Sequence, residues 1–168
     1  MQFLPALPAD IDAILVLYDH AIAHQKAVSD QHWLPFERAR VEAELATGCI
    51  WKIVVEGQMA CVFLVAYSDP HIWGERDRDP SVYLHRIATN PDFRGRNFVA
   101  AIVEWAKHHG RALGKKYLRL DTWADNLRLK ALYERCGFRF LGVEGPANPA
   151  ALPSYYSTVV LGMFEMEI

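Results

Sequence analysis

The sequence predicts an α/β fold: a mixed, mostly antiparallel twisted sheet of about six to seven strands, flanked by about four helices. Three observations support this. The chain has 168 residues, of which 52% are hydrophobic and 23% are charged, and this suits a single domain over residues 1–168. The second half alternates strand and helix patterns. The first half contains two adjacent strand patterns joined by a short turn.

The first half opens with a short strand over Gln2–Leu4. An amphipathic helix is predicted over Ala9–His24, with Asp10 as its cap and an apolar stripe on one face. A second helix is predicted over Pro35–Ala46, with proline in its first turn and Gly48 just past its end.

A hairpin and one long loop complete the first half. Strands Ile50–Glu56 and Met59–Tyr67 flank Gly57-Gln58, which is typical of a two-residue hairpin turn. The segment Ser68–Pro80 has Asp-Pro at both ends, and the sequence leaves open whether it is a lid or an excursion at a sheet edge.

The second half has the order strand, helix, strand, helix, strand, followed by a closing strand. Its predicted elements are strand Ser81–Thr89, helix Phe98–Leu113, strand Tyr117–Trp123, helix Asn126–Cys136, strand Phe140–Glu144 and a last strand over about Tyr156–Ile168. Whether the apolar last strand lies in the core or forms the edge of a homodimer stays open.

Charge and cysteine usage narrow the classes of protein. Eighteen Lys and Arg residues against twenty Asp and Glu give a net charge of −2, so we expect no nucleic-acid partner and no anionic membrane surface. No apolar run approaches the length of a membrane-spanning helix. Cys49, Cys61 and Cys136 are odd in number and far apart, which favours a reducing cytoplasm over a disulfide framework.

The segment between strand Ser81–Thr89 and the following helix is a candidate anion site. The first N–H groups of a helix lack internal partners and lie at the positive end of its dipole, which favours a phosphate or pyrophosphate there. Arg94 and Arg96 add positive charge. Gly95 lets the backbone approach a ligand, and Asn97 tolerates a positive φ. An ordinary turn with two solvated arginines is the alternative.

Two other classes of nucleotide-binding protein are excluded. The dinucleotide fingerprint Gly-x-Gly-x-x-Gly and the phosphate-binding sequence Gly-x-x-x-x-Gly-Lys are both absent, so neither Rossmann enzymes nor nucleotide hydrolases fit.

The turn and the helix after the next strand resemble the GCN5-related N-acetyltransferases, the GNAT family, which bind acetyl-CoA. The family motif Arg/Gln-x-x-Gly-x-Gly/Ala is matched by Arg94-Gly95-Arg96-Asn97-Phe98-Val99, although Asn97 and Val99 replace small residues usual in the family, which predicts a looser grip on the pyrophosphate. Asn126–Phe138 matches the family's Asn…Leu-Tyr-x-x-x-Gly-Phe segment. The resemblance covers roughly residues 82–140 and, more weakly, the whole topology of a GNAT acyltransferase fold.

The resemblance implies acetyl-CoA as co-substrate and a set of binding residues. The pyrophosphate would be held by Arg94, Gly95, Arg96, Asn97, Phe98, Val99 and Ala100. The backbone of Ile87, Ala88 and Thr89 would pair with pantetheine, and a backbone amide near the end of that strand would hold the thioester oxygen.

Tyr133 and His85 are the expected catalytic pair. Asn126 and Tyr133 are seven residues apart, so they share a helix face about 10 Å apart and both are expected at the cofactor. In the family, the matching tyrosine protonates the departing thiolate, whereas a core tyrosine with a satisfied hydroxyl is the alternative. His85 could deprotonate the amine, or be a structural histidine.

The acceptor is expected to be a small-molecule or peptide amine, and its contacts are less defined. Strand alternation places Tyr83 on the same face as His85. Asp121 ends a strand and could orient His85, bind a substrate ammonium, cap the next turn or pair with Arg119. Further candidates for an acceptor pocket are loop aromatics and a neighbouring histidine: Trp33, Trp73, Tyr155 and His32.

The paired histidines do not predict a metal site. His20 and His24 are one helical turn apart, and His108 is next to His109. Neither pair has a companion cysteine or acidic signature, so solvated helix faces are expected and no metal is assigned.

Overall fold

The computed structural model describes residues 1–153, 156 and 158–168. Its strands are β1 (Gln2–Pro5), β2 (Ile50–Val55), β3 (Gln58–Ala66), β4 (Ser81–Thr89), β5 (Tyr117–Trp123), β6 (Arg139–Glu144) and β7 (Leu161–Glu167). Its α-helices are α1 (Ile11–Val28), α2 (Arg38–Ala46), the four-residue α3 (Pro70–Trp73), α4 (Phe98–Ala112) and α5 (Leu127–Arg135).

Within the described residues, the strands form one seven-stranded sheet in the order β1-β2-β3-β4-β5-β7-β6. β4 and β5 are parallel, whereas β1–β2, β2–β3, β5–β7 and β6–β7 are antiparallel. The predicted mixed, mostly antiparallel α/β fold is therefore confirmed.

The chain divides into two compact units. The first contains Met1–Val65 and Arg86–Phe98, and the second contains Ala66–His85 and Val99–Ile168. The division passes through β4, between His85 and Arg86. That residues 1–168 act as one domain stays a prediction.

The core of the first unit is formed by α1, α2 and the β2–β3 hairpin. The buried stripe of α1 is Ile14, Leu17, Tyr18 and Ile22, which are spaced as one helix face requires. Glu56 and Gly57 both have positive φ, of 53° and 78°. They form the primed turn that fits the twist of a hairpin, so the turn lies one residue earlier than predicted.

Two helix starts in the first unit differ from the sequence-based expectation. Asp10 does not cap α1, because its carboxylate accepts the Leu7 N–H at 2.7 Å and pairs with Lys52 at 2.6 Å. α2 begins at Arg38 and not at Pro35. The residues before it are used for packing, since the Phe36 ring lies 4.7 Å from the Tyr18 ring.

The core of the second unit includes the segment predicted as a long loop. Ser68–Pro80 contains α3 and a 3-10 turn over Gly74–Arg78. Ile72 and Trp73 are buried with Tyr83, Leu161 and Met163. Burial of these two large apolar side chains anchors the segment to the core.

The last strand is shorter than predicted. It begins at Leu161 and not near Tyr156. Tyr156 and Val159 instead pack against the core cluster that contains Trp73. Tyr156 and Val159 therefore have a strand-like composition because they are partly buried against this cluster, and not because they form a strand.

Candidate active site

Two neighbouring strands bring His85 and Asp121 to the same level of the second unit. The parallel ladder pairs Ser81 with Tyr117 and ends where Tyr83 pairs with Arg119. His85 and Asp121 each lie two residues beyond that last pair and therefore point to the same face of the sheet. Ligands of α/β sheets bind at such carboxyl ends of parallel strands.

His85 lies between two carboxylates. Its Nδ1 atom is 3.9 Å from Asp121 Oδ1, and its Nε2 atom is 3.4 Å from Asp69 Oδ2. The side chains of His85, Asp69 and Asp121 are 24%, 15% and 13% exposed. Of the roles considered for Asp121, this placement favours orienting His85.

The alternative pairing of Asp121 with Arg119 is wrong. The Arg119 guanidinium is buried and pairs with Glu165 and Asp79, at 2.8 Å in each case. It also donates to the Tyr83 hydroxyl at 3.4 Å. Arg119 therefore joins β5 to β7 and supports Tyr83, while Asp121 is directed toward His85.

Asp69 is the site residue that the sequence did not reveal. It immediately precedes α3, and its own N–H donates to Asp77 Oδ1 at 2.6 Å. Ser68 Oγ donates to the other oxygen of Asp77 at 2.7 Å. Asp-Pro before an apolar pair is a helix-start signal, but nothing in the spacing of Asp69 and His85 indicates that they meet.

Burial and a neighbouring negative charge raise the pKa of both carboxylates. Burial, reinforced by the charge of Asp77, raises the pKa of Asp69 to about 6. Burial, reinforced by the charge of Asp69, raises the pKa of Asp121 to about 7. Near neutral pH, each carboxylate is therefore stabilised by a bound proton or by a cation beside it.

Tyr133 is buried on α5 and stays protonated. Its ring packs edge-on against Phe164 and Phe138, with centroids 5.3 and 6.1 Å apart. Burial first, and then the charge of Asp121, raises the pKa of its phenol above the ordinary value. The ring packs as a core tyrosine does, while the hydroxyl carries the proton that an acid catalyst needs.

Asn126 caps the helix that carries Tyr133. Its Oδ1 atom accepts the Leu129 N–H at 3.0 Å, which satisfies one of the free N–H groups at the start of α5. The predicted contact with the cofactor is therefore left to the Nδ2 amino group.

The predicted acceptor residues lie in different surroundings. Tyr83 is fully buried, and its ring stacks beside that of His85 at 6.5 Å and an angle of 17°. Trp73 is buried against Tyr83, with ring centroids 5.7 Å apart. Both therefore support His85 from within the core of the second unit.

Trp33 and His32 belong to the first unit. Trp33 packs edge-on against Phe36 and Tyr18, at centroid distances of 5.8 and 6.4 Å, and its N–H donates to Gln25. His32 Nδ1 contacts the Trp33 carbonyl at 2.9 Å. Tyr155 lies outside the described residues.

The turn before α4 has the backbone that the sequence predicts. Asn97 has φ of 53° and Gly95 has φ of 82°. A Cβ atom at Gly95 would meet open space, and Arg94, Arg96 and Asn97 are all exposed. Asn97 therefore adopts the left-handed conformation that the family's usual glycine adopts freely.

The start of that turn is fixed by Asn90. Its backbone N–H donates to the Ala60 carbonyl at 2.9 Å, and its side-chain amide donates to the Met59 carbonyl at 3.0 Å. Its Oδ1 atom accepts the Asp92 N–H at 3.1 Å. These bonds hold the start of the turn against β3 within the first unit.

The histidine pair at the end of α4 is not simply a solvated face. The His109 ring stacks on Trp105 at 4.7 Å, and its Nε2 atom lies 2.7 Å from the Tyr67 hydroxyl. Burial lowers the pKa of His109. Among the described residues, the group with suitable spacing for a metal ion is Asp69, His85 and Asp121, and not the paired histidines.

Comparison with known proteins identifies the family. The model of the acetyltransferase (GNAT) family matches residues 17–138. An uncharacterized N-acetyltransferase of Bacillus subtilis, YesJ, is 34% identical over 76 residues, which is 45% of this chain and 42% of that protein. The match thus spans less than half the length of the curated relative.

Solved structures show the same fold. A GNAT-family acetyltransferase from Listeria monocytogenes superposes with a TM-score of 0.81 at 21% identity, covering 99% of this chain and 94% of that one. A ribosomal-protein-alanine N-acetyltransferase from Brucella melitensis gives 0.72 at 16% identity, covering all of both chains. A putative acetyltransferase from Salmonella typhimurium, solved with acetyl-CoA, gives 0.71 at 14%, covering 99% and 93%.

The chain belongs to the GNAT acetyltransferase family, because the family model matches well over half of it. None of the helices in the described part of the chain combines the length and the apolar character needed to cross a membrane.

Proposed function

We propose that this protein transfers the acetyl group of acetyl-CoA to a primary amine by direct attack on the thioester. The observation that supports this most strongly is the position of the His85 ring, which lies between Asp69 and Asp121 at 3.4 and 3.9 Å. Amine acetylation needs a base for the amine proton and an acid for the departing thiolate, and His85 and Tyr133 are the side chains proposed for these two roles.

The two groups have complementary tasks. His85 receives a proton from the acceptor ammonium, so that the neutral amine can attack the thioester carbon. Tyr133 gives its proton to the departing thiolate. A backbone amide near Ala88–Thr89 stabilises the charge that develops on the thioester oxygen.

The proposed cofactor contacts follow the family motif. The turn from Arg94 to Ala100 holds the pyrophosphate, the backbone of Ile87–Thr89 pairs with pantetheine, and Asn126 and Tyr133 contact the thioester end. The open space at Gly95 and the left-handed Asn97 support the first of these assignments. Acetyl-CoA supplies the activated acetyl group when it is bound.

The proposed acceptor is an amine, either of a small molecule or of a peptide. A small amine and a peptide amine both fit, and the Brucella relative is named for a ribosomal-protein alanine. The free Cys49, Cys61 and Cys136 support a reducing cytoplasm as the location. Whether two copies pair through an edge strand is a separate question for solution measurements.

A non-catalytic acyl-CoA-binding module is the competing function, suggested by Asn97 and Val99 in place of small residues. Asn97 already has the backbone conformation of a glycine, which favours cofactor binding in either case. Release of free CoA thiol from acetyl-CoA in the presence of a panel of amines separates the two. Amine-dependent release supports the transferase, whereas saturable acetyl-CoA binding without release would identify a binding module.

A further inference from the structure

Each of the two carboxylates beside His85 has one buried oxygen without a hydrogen-bond partner among the described residues. Asp69 Oδ2 and Asp121 Oδ1 are both buried, and neither accepts a hydrogen bond within the described part of the chain. A buried acceptor without a donor is costly. Such a pair is stable when a ligand brings donors to it.

Negative charges also lie close together at this place. Burial first, and then the charge of Asp77, raises the pKa of Asp69, and burial first, and then the charge of Asp69, raises the pKa of Asp121. The shifts therefore come from neighbouring negative charges added to burial. A positively charged group between Asp69 and Asp121 would relieve both effects.

The proposed acetyl transfer favours an organic cation over a metal ion beside His85. Asp69 faces the Nε2 atom of His85, and Asp121 faces its Nδ1 atom. A metal ion would use one ring nitrogen, whereas an ammonium group has N–H donors that can reach both carboxylates and leave a ring nitrogen to accept a proton.

We propose that Asp69 and Asp121 bind the ammonium group of the acceptor beside His85, and that the enzyme therefore selects cationic amines without an adjacent carboxylate. The inference rests on the proposed acetyl transfer and names its class of acceptor. Asp69 and Asp121 are then substrate-binding residues that share the role of binding the acceptor ammonium.

The step conserves charge and protons. The ammonium gives one proton to His85, and the resulting imidazolium lies between the same two carboxylates that held the ammonium. The amine nitrogen then bonds to the thioester carbon while the carbon–sulfur bond breaks. Tyr133 protonates the sulfur and regains a proton from the nitrogen as the amide forms. The products are the acetylated amine, CoA thiol and the proton on His85, which passes to solvent.

Specificity follows from like-charge repulsion. A free amino acid would place its own carboxylate beside Asp69 and Asp121, where it would be repelled by the two carboxylates already present. Its amide has the same size without that charge. We expect kcat/KM for an amino acid to be about one hundredfold lower than for its amide.

The test compares matched acceptors with the wild-type protein. Alanine amide against alanine and tyramine against tyrosine differ in a carboxylate group beside the reacting amine. Faster acetylation of the carboxylate-free member of each pair supports the proposal. Equal rates, or faster acetylation of the amino acids, would overturn it while leaving the acetyltransferase activity in place. No turnover of any amine would overturn both.

Substitutions test the residues themselves. Asp69→Asn and Asp121→Asn should each raise KM for the best amine about tenfold or more, with acetyl-CoA affinity unchanged. Asp19→Asn, at an exposed position on α1, is the matched control. An unchanged amine KM in both site variants, with folding checked by circular dichroism, would contradict the proposal. So would one Zn²⁺ ion per chain, seen by calorimetry, whose binding Asp69→Asn abolishes.

Discussion

His85 takes its chemical role from what lies on either side of its ring. A carboxylate faces each nitrogen, at 3.4 Å for Asp69 and 3.9 Å for Asp121. Tyr83 stacks beside the ring, so the imidazole is oriented by packing as well as by charge. A histidine held in this way is positioned to accept a proton and to keep it stabilised.

Asp121 makes stability depend on pH. Its pKa is raised from 3.8 to about 7 in the folded protein. Between these two pH values the folded state therefore keeps a proton that the unfolded chain has already lost. The contribution of protonated Asp121 to the free energy of unfolding is fully present below about pH 4 and is lost as the pH rises through about 7. Asp121→Asn removes the effect.

We therefore expect Asp121→Asn to gain stability over the wild type as the pH rises from 4 to 8, when the two are compared by urea denaturation. A difference in free energy of unfolding that does not change with pH would show that Asp121 titrates normally.

Tyr133 is the residue whose hydroxyl can be removed with little change in packing, because its contacts with Phe164 and Phe138 are made by the ring. Tyr133→Phe should lower kcat about one hundredfold or more and leave the dissociation constant of acetyl-CoA unchanged. Tyr67→Phe, at a tyrosine that is 44% exposed, should retain the wild-type rate. A Tyr133→Phe enzyme with normal kcat would remove this phenol from the mechanism.

At the scale of elements, the turn before α4 depends on a single backbone conformation. Asn97 has φ of 53°, which a β-branched residue adopts only at a cost of about 1–2 kcal/mol. Asn97→Val should therefore lower the free energy of unfolding by about that amount and weaken acetyl-CoA binding.

Asn97→Gly is the matched control, since glycine adopts this φ freely and should preserve both properties. Urea denaturation and calorimetric titration measure them. If valine bound acetyl-CoA as tightly as glycine, the turn would not be part of the cofactor site.

A second contact between elements joins Glu44 on α2 to Arg86 on β4, both within the first unit. Arg86 Nη2 lies 2.7 Å from Glu44 Oε2, and the two side chains are 11% and 20% exposed. The Arg86 guanidinium also lies over the Phe36 and Tyr18 rings, at 5.0 and 5.6 Å from their centroids. The pair is thus enclosed by aromatic side chains.

Glu44→Gln leaves the enclosed guanidinium without its counter-charge and should cost about 1–3 kcal/mol of stability. Glu75→Gln breaks the pair with Arg78, whose side chains are 80% and 79% exposed, and should cost less than about 0.5 kcal/mol. Equal losses in the two variants, measured by urea denaturation, would show that the enclosure of Arg86 adds nothing.

For the whole molecule, the sequence predicts those features of the fold that depend on residues close together in the chain. The bounds of β4 and β5 match the prediction residue for residue, because runs of strand-forming residues end at clear turn signals. Residue type also indicated that Asn97 tolerates a positive φ, and Asn97 has a φ of 53°.

What the sequence could not predict depends on contacts between distant residues. α2 begins late because Phe36 is drawn into an aromatic cluster with Tyr18 and Trp33. Asp69 reaches His85 because Trp73 holds the preceding segment in the core. The His85 environment was therefore only half predicted: Asp121 followed from strand register, whereas Asp69 required the path of the chain.

Acetyl transfer to an amine is tested most directly by following the acetyl group itself. The protein is incubated with acetyl-CoA carrying an isotopic label in its acetyl group, together with tyramine, cadaverine and alanine amide, and the products are identified by mass spectrometry. We predict that the label appears in an amide of one of these amines, in an amount equal to the CoA thiol released. Label found only in free acetate, or retained in acetyl-CoA, would contradict the proposed function.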